Sequence, residues 1–188
     1  NPFHTIFSLF FSRGIMYDFR LEEVAAWIDK VGARTVAVQM PEGLKTHAQD
    51  VSHEIEARTG ASCLIIGDPC YGACDYAVRF REFADALVQF GHADIPSMTC
   101  DDRVLFVEIF MDVAIEGLLE QALPKLKDRI GLLTTVQHVR TLSRVKEWLG
   151  SHGKEALIGR GDPRIRFEGQ VLGCNITSVT SIADRVDQ

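Results

Sequence analysis

Apolar residues recur along this chain in two alternating rhythms. From Asp18 to Gly32, Leu21, Val24, Ala25, Ile28 and Val31 fall at helical spacing, with Asp18 placed as an N-cap and Gly32 as a stop. RTVAVQ then reads as a buried strand. LKTHAQDVSHEIEARTG places Leu44, Ala48, Val51 and Ile55 on one helical face that ends near Gly60. SCLIIGD reads as a strand, YAVRFREF as a short helix, and ADALVQFGH and RVLFVEIF as strands. MDVAIEGLLEQALPKLKD is helical with a break at Pro124. RIGLLTT is a strand, VRTLSRVKEWLG a helix with Leu142, Val145 and Leu149 inward, and EALIG and GQVLG are strands. NITSVTSIADRVDQ reads as the start of another helix, with Ile182 and Val186 four apart and no stop signal after them.

Strands alternating with helices, several of them unbroken apolar runs, predict an α/β fold with parallel strands covered on both faces. The order strand, helix, strand, cysteine occurs twice: RTVAVQ to SCLIIGD and Cys74, then RIGLLTT to EALIG, GQVLG and Cys174. This predicts two related α/β units, residues 16–111 and 112–188, joined near 108–115. Residues 1–15, NPFHTIFSLFFSRGI, stand apart as an extension. That segment lacks a basic start and a small-residue cleavage site, and its apolar core is too short to span a bilayer.

The distinctive residues cluster directly after strands: MPEG (40–43), GDPCYGAC (67–74), GH (91–92), TTVQH (134–138) and GCN (173–175). In parallel sheets all such points lie on the carboxyl edge, where ligands bind. Glu42, His92, Gln137 and His138 are candidate contacts on that edge. Each also has an ordinary structural reading: a carboxylate at a helix start for Glu42, a turn residue for His92, the first turn of the next helix for Gln137 and His138. His47 and His53 read as surface residues of a helix, and Arg160, Arg164 and Arg166 as a solvated basic stretch.

Composition narrows the class. Of 188 residues, 46% are hydrophobic and 24% charged, ordinary for a globular protein, and the net charge of -6 argues against a nucleic-acid scaffold. Five cysteines in a chain of this length do not make a disulfide framework. Cys63 reads as a packing residue of its strand. For Cys70 and Cys74, spaced Cys-x-x-x-Cys, four readings stay open: packing, a disulfide or redox pair, zinc, or an iron–sulfur cluster shared with cysteines from elsewhere. Thioredoxin-type spacing and a second zinc-type pair are both missing, and Ala77 stands where a further cysteine of the commonest radical-enzyme motif would be.

QMPEG, GDPCYGACD, FGH, TTVQH and GQVLGCN, in this order from Met16 onward, resemble the diphthamide-synthesis family, the 2-(3-amino-3-carboxypropyl)histidine synthases of archaea and eukaryotes. The resemblance implies three similar α/β domains, with parallel four-stranded sheets flanked by helices, of which two are expected here. It implies one cysteine per domain on a [4Fe–4S] cluster: Cys74 and Cys174 in this chain, the third beyond it, with Cys70 and Cys100 as non-ligands. It further implies S-adenosylmethionine as co-substrate, cleaved to a 3-amino-3-carboxypropyl radical that is transferred to a histidine of translation elongation factor 2. A cytoplasmic homodimer with no membrane or nucleic-acid partner is implied as well. Three other functions compete: a quinolinate-synthase-like cluster enzyme, a non-catalytic partner subunit, and a nucleotide-binding α/β domain without a cluster.

Overall fold

A computed structural model describes residues 9–12, 15–96, 101–111 and 113–187. Cys100 and parts of the segment 1–15 lie outside the described residues. The chain divides into two compact units, the first ending at Ile109 and the second beginning its main body at Phe110.

The first unit opens with an antiparallel pair, β1 (Leu9–Ser12) and β2 (Ile15–Asp18). Helix α1 (Leu21–Val31) follows, burying Leu21, Val24, Ala25 and Ile28. Gly32 ends it at φ 65, a left-handed turn that glycine adopts without strain. Asp18 is not the N-cap: it closes β2, and its carboxylate accepts the backbone N–H of Arg20, 2.9 Å away. Arg20 occupies the cap position at φ 52, rare for a residue with a Cβ. Its guanidinium pairs with Glu23 and with the buried Glu108.

Strand β3 (Thr35–Gln39) leads through a 3-10 turn (Glu42–His47) into α2 (Ala48–Thr59), which Gly60 stops at φ 71. His47, expected at the surface, is buried. It closes the 3-10 turn with its ring against Tyr17 and Phe19, at centroid distances of 5.3 and 5.6 Å. His53 is exposed, as expected. Strands β4 (Ser62–Ile65), β5 (Ala86–Phe90) and β6 (Val104–Val107) complete a sheet of order β4-β3-β5-β6, parallel throughout.

Side chains alternate across this sheet. Val36, Val38, Val88 and Phe90 pack with Phe19, Leu21, Ile28, Val51 and Ile55 beneath α1 and α2. Ala37 and Leu87 face the other way, onto Phe80 and Ala84. The helix expected over YAVRFREF is absent. Among the described residues, Phe80–Glu82 forms a 3-10 turn there, and just before it the Ala77 N–H donates to Gln39 Oε1 on the sheet, 3.1 Å away.

In the second unit, α3 (Glu116–Ala122) stops just before Pro124, which sits in a following 3-10 turn. This is the break the proline predicts, since its ring lacks the N–H that would continue the helix. Strand β7 (Arg129–Leu132), a 3-10 turn (Val136–Thr141), helix α4 (Leu142–Ser151) and strand β8 (Glu155–Ile158) repeat the order of β3 to β4. The pair β7–β8 is parallel, and Val145, Leu149 and Ala156 pack with Leu119, Ile130 and Trp148. GQVLG does not form a strand. Gly169 at φ 74 and the turn that pairs Leu172 with Asn175 leave one parallel bridge, Thr134 to Gln170, so the sheet here has two strands rather than four. A single turn, α5 (Thr177–Thr180), and a 3-10 turn (Ala183–Arg185) stand where the last helix was expected. Among the described residues, no helix is long and apolar enough to cross a membrane.

Burial predicts two different costs. Ile55 is fully buried under the sheet, whereas Ile65 on the edge strand is 49% exposed. In urea denaturation Ile55→Ala should lose about 2–5 kcal/mol, by lost transfer energy plus a cavity. Ile65→Ala should lose about 1 kcal/mol or less.

Candidate functional site

Because every strand of the first sheet runs the same way, the chain leaves β3, β4, β5 and β6 on one edge. The connections after β3, β4 and β5 approach one another closely there. After β5, Gly91 turns at φ +85. A Cβ at this position would stand 2.7 Å from Pro41 Cγ of the MPEG turn, so only glycine fits without displacing that turn. Lys45 then ties the first connection to the second: its ammonium donates to the Gly67 carbonyl at 2.8 Å and pairs with Glu42 at 2.7 Å. The Glu42 carboxylate is otherwise in solvent, with 74% of its side chain exposed.

The connection after β4 carries GDPCYGACD. Its two cysteines have opposite surroundings. Cys70 is buried: its sulfur accepts from Gln89 Nε2 at 2.9 Å and its thiol donates to the Gly72 carbonyl at 3.7 Å. Burial is the main force pushing its pKa up. Cys74, on the turn closed by the Asp75 N–H to the Gly72 carbonyl, is exposed. Asp75 turns its carboxylate back onto the Tyr71 N–H at 3.0 Å. Cys63, on β4, is held as a thiol, pushed up to about 12 by burial and then by the charge of Glu56.

His92 follows Gly91 and is half-buried. Its Nδ1 lies 2.7 Å from Gln89 Nε2 and 3.9 Å from the Cys70 sulfur. Burial pushes its pKa down, so the ring is neutral near pH 7. The Gln89 amide and His92 Nδ1 are hydrogen-bond partners, and the tautomer of the ring sets their roles.

In the second unit, the 3-10 turn after β7 holds Gln137 and His138, both half-buried. The Gln137 carbonyl accepts from the Met111 N–H, and the Thr141 hydroxyl donates to the His138 carbonyl. Gln137 Oε1 is buried with no partner among the described residues. Cys174 lies on the turn between Leu172 and Asn175 and is exposed. Asn175 fixes that turn from inside: its amide donates to Asp162, and its oxygen accepts from the N–H and hydroxyl of Thr177. Arg160 pairs with Glu168, Arg164 with Asp162, and Arg166 stands over Phe167, so the basic stretch is spent on local partners. Asp162 is lowered to about 2, chiefly by the Arg164 hydrogen bond.

Glu42, Cys74 and His92 therefore belong to the edge of one unit, and Gln137, His138 and Cys174 to loops of the other. Among the described residues, no group of three or more His, Cys, Asp or Glu side chains is placed to hold a metal ion. Two residues the sequence reading passed over prove central, Gln39 and Gln89. Both are buried near the ends of apolar runs, and an amide in the last two places of such a run (RTVAVQ, ALVQF) was the available signal.

Native-state alkylation should separate the cysteines. At pH 8, Cys74 and Cys174 should be labelled first by iodoacetamide, as mapped by mass spectrometry. Cys63, about four pH units below its pKa, should hold a thiolate fraction of about one in ten thousand and stay unlabelled until the protein unfolds. Cys70 should be protected likewise.

Comparison with known proteins connects this arrangement to a family. Residues 40–188 match the family of diphthamide synthesis proteins. The chain is 34% identical over 166 residues to the 2-(3-amino-3-carboxypropyl)histidine synthase of Pyrococcus horikoshii, covering 86% of this chain and 48% of that protein. It is 31% identical over 171 residues to subunit 1 of the same synthase from Homo sapiens, covering 84% of this chain and 37% of that one. The crystal structure of Dph2 from Pyrococcus horikoshii with a 4Fe-4S cluster superposes with a TM-score of 0.77 at 34% identity, over 86% of this chain and 49% of that one. The chain spans about half the length, or less, of these relatives.

Proposed function

The chain belongs to the diphthamide synthesis protein family, and from that premise we propose that it acts in the first step of diphthamide formation, transferring a 3-amino-3-carboxypropyl group to a histidine. The carrying observation is the contrast among its cysteines. Cys74 and Cys174 are exposed thiols on turns beyond parallel strands, while Cys63 and Cys70 are drawn inward and kept protonated. Soft thiolate sulfur suits an iron–sulfur cluster, so the donors fit that group in kind, and two of three come from this chain.

In this reading Cys74 and Cys174 would hold a [4Fe–4S] cluster together with a third thiolate. Bound there, the cluster would supply the single electron that breaks the bond between the sulfonium of S-adenosylmethionine and its methionine side-chain carbon, with methylthioadenosine as the leaving group. The chain's own residues bind and orient. Glu42, its carboxylate in solvent beside Lys45, takes the substrate's ammonium group, and the His92 ring hydrogen-bonds its carboxylate. Gln137 offers a buried acceptor oxygen and His138 a neighbouring ring, both as contacts to the nucleoside part. The acceptor is a histidine of translation elongation factor 2, and the working assembly is a cytoplasmic homodimer.

The test uses the full gene product that contains this chain, reconstituted without oxygen. Wild type should hold about four irons with matching sulfide. Cys74→Ala and Cys174→Ala should each remove more than half of that iron, and Cys63→Ala and Cys70→Ala should keep it. An iron-free wild type, or iron that depends on Cys70 and not on Cys74, overturns the proposal.

A further inference from the structure

Among the described residues, the second face of the first sheet carries no α-helix. Ala37, Leu87 and, at the strand ends, Gln39 and Gln89 share that face by the alternation of β3 and β5. What covers it is the cysteine-bearing connection itself, through Ile66, Tyr76, Phe80 and Ala84. A connection packed on a sheet must find partners for its backbone polar groups away from water. Near the amino end of the strands the contact is apolar. At the carboxyl end it is made by two amides.

Gln39 and Gln89 stand side by side in register, 2% and 0% exposed. Gln39 holds the connection just past Cys74: its Nε2 donates to the Asp75 carbonyl at 3.3 Å and its Oε1 accepts the Ala77 N–H at 3.1 Å. Gln89 holds it just before, through the Cys70 sulfur, which in turn reaches the Gly72 carbonyl. The same Gln89 amide contacts His92 Nδ1. An apolar side chain at either position would serve the sheet alone at less desolvation cost.

We propose that Gln39 and Gln89 are a paired clamp, positioning residues that fix the connection on both flanks of Cys74 and so set where its thiolate is presented. The part of this concerning thiolate presentation rests on Cys74 being a cluster ligand. The geometry of the clamp does not.

The test replaces each amide by a side chain of similar length without one, Gln39→Met and Gln89→Met, in the full gene product. In the metal-free protein, hydrogen exchange at the Ala77 amide should accelerate at least about tenfold in Gln39→Met, and Cys70 should become open to iodoacetamide in Gln89→Met. The amides of Val36, Val38 and Val88 should keep their protection, which shows that the sheet is intact. Gln39→Leu and Gln89→Leu, of different shape, should give the same result, separating the lost amide from altered packing. In the reconstituted protein, iron release to a chelator should quicken about tenfold and the electron paramagnetic resonance line shape of the reduced cluster should change. Unchanged exchange and labelling in both pairs overturns the clamp. A loosened connection with unchanged iron release and line shape, in a protein that loses its iron on Cys74→Ala, overturns the positioning role and leaves the cluster reading standing. Iron that survives Cys74→Ala overturns the cluster reading and the positioning role with it, while the exchange result still reports on the clamp.

Discussion

The parallel ladder of β4, β3, β5 and β6 is the constraint on which the rest of the first unit depends. Parallel pairing forbids a tight hairpin between neighbours, so each connection crosses back over a face and every strand ends on the same side. MPEG, GDPCYGACD and FGH are far apart in the chain, yet the ladder brings their strand ends within one or two strand widths of one another. Two local devices then tighten the edge. Gly91 lets the turn after β5 press against Pro41, and Lys45 bridges the MPEG turn to Gly67.

One face of that sheet is covered by helices and the other by an irregular connection, and this asymmetry shapes the chemistry. Helices satisfy their own backbone groups, so α1 and α2 bring mainly apolar side chains to Val36, Val38, Val88 and Phe90. The connection after β4 cannot do so. It borrows the side-chain amides of Gln39 and Gln89, and the same bonds divide its two cysteines, one drawn in beside His92 and one left in solvent. The second unit reaches a similar outcome by different means. Asn175, buried beside Cys174, organises its turn through Asp162 and Thr177.

Most of the elements were legible because their signals are local. The helical spacing of Leu21 to Val31, the stops at Gly32 and Gly60, the break at Pro124 and the unbroken apolar strands each depend on residues within one element, and each appears in the structure. The misreadings share a cause. Asp18 looked like a cap, YAVRFREF like a helix and GQVLG like a strand because short segments were judged on propensity. In the structure Asp18 accepts from the Arg20 N–H, Ala77 donates to Gln39 on the sheet, and the chain turns from Leu172 to Asn175.

The sequence by itself determined the α/β class and the placement of MPEG, GDPCYGAC, GH and TTVQH directly after parallel strands. These follow from periodicity and from the order of strands and turns, which a one-dimensional pattern carries. Only the tertiary structure decided that Cys70 is an inward thiol while Cys74 faces solvent, that His47 is buried, and that Gln39 and Gln89 meet side by side beneath the cysteines. Burial and pairing between residues 19 to 50 positions apart arise when strands align in three dimensions, and no local pattern encodes that alignment.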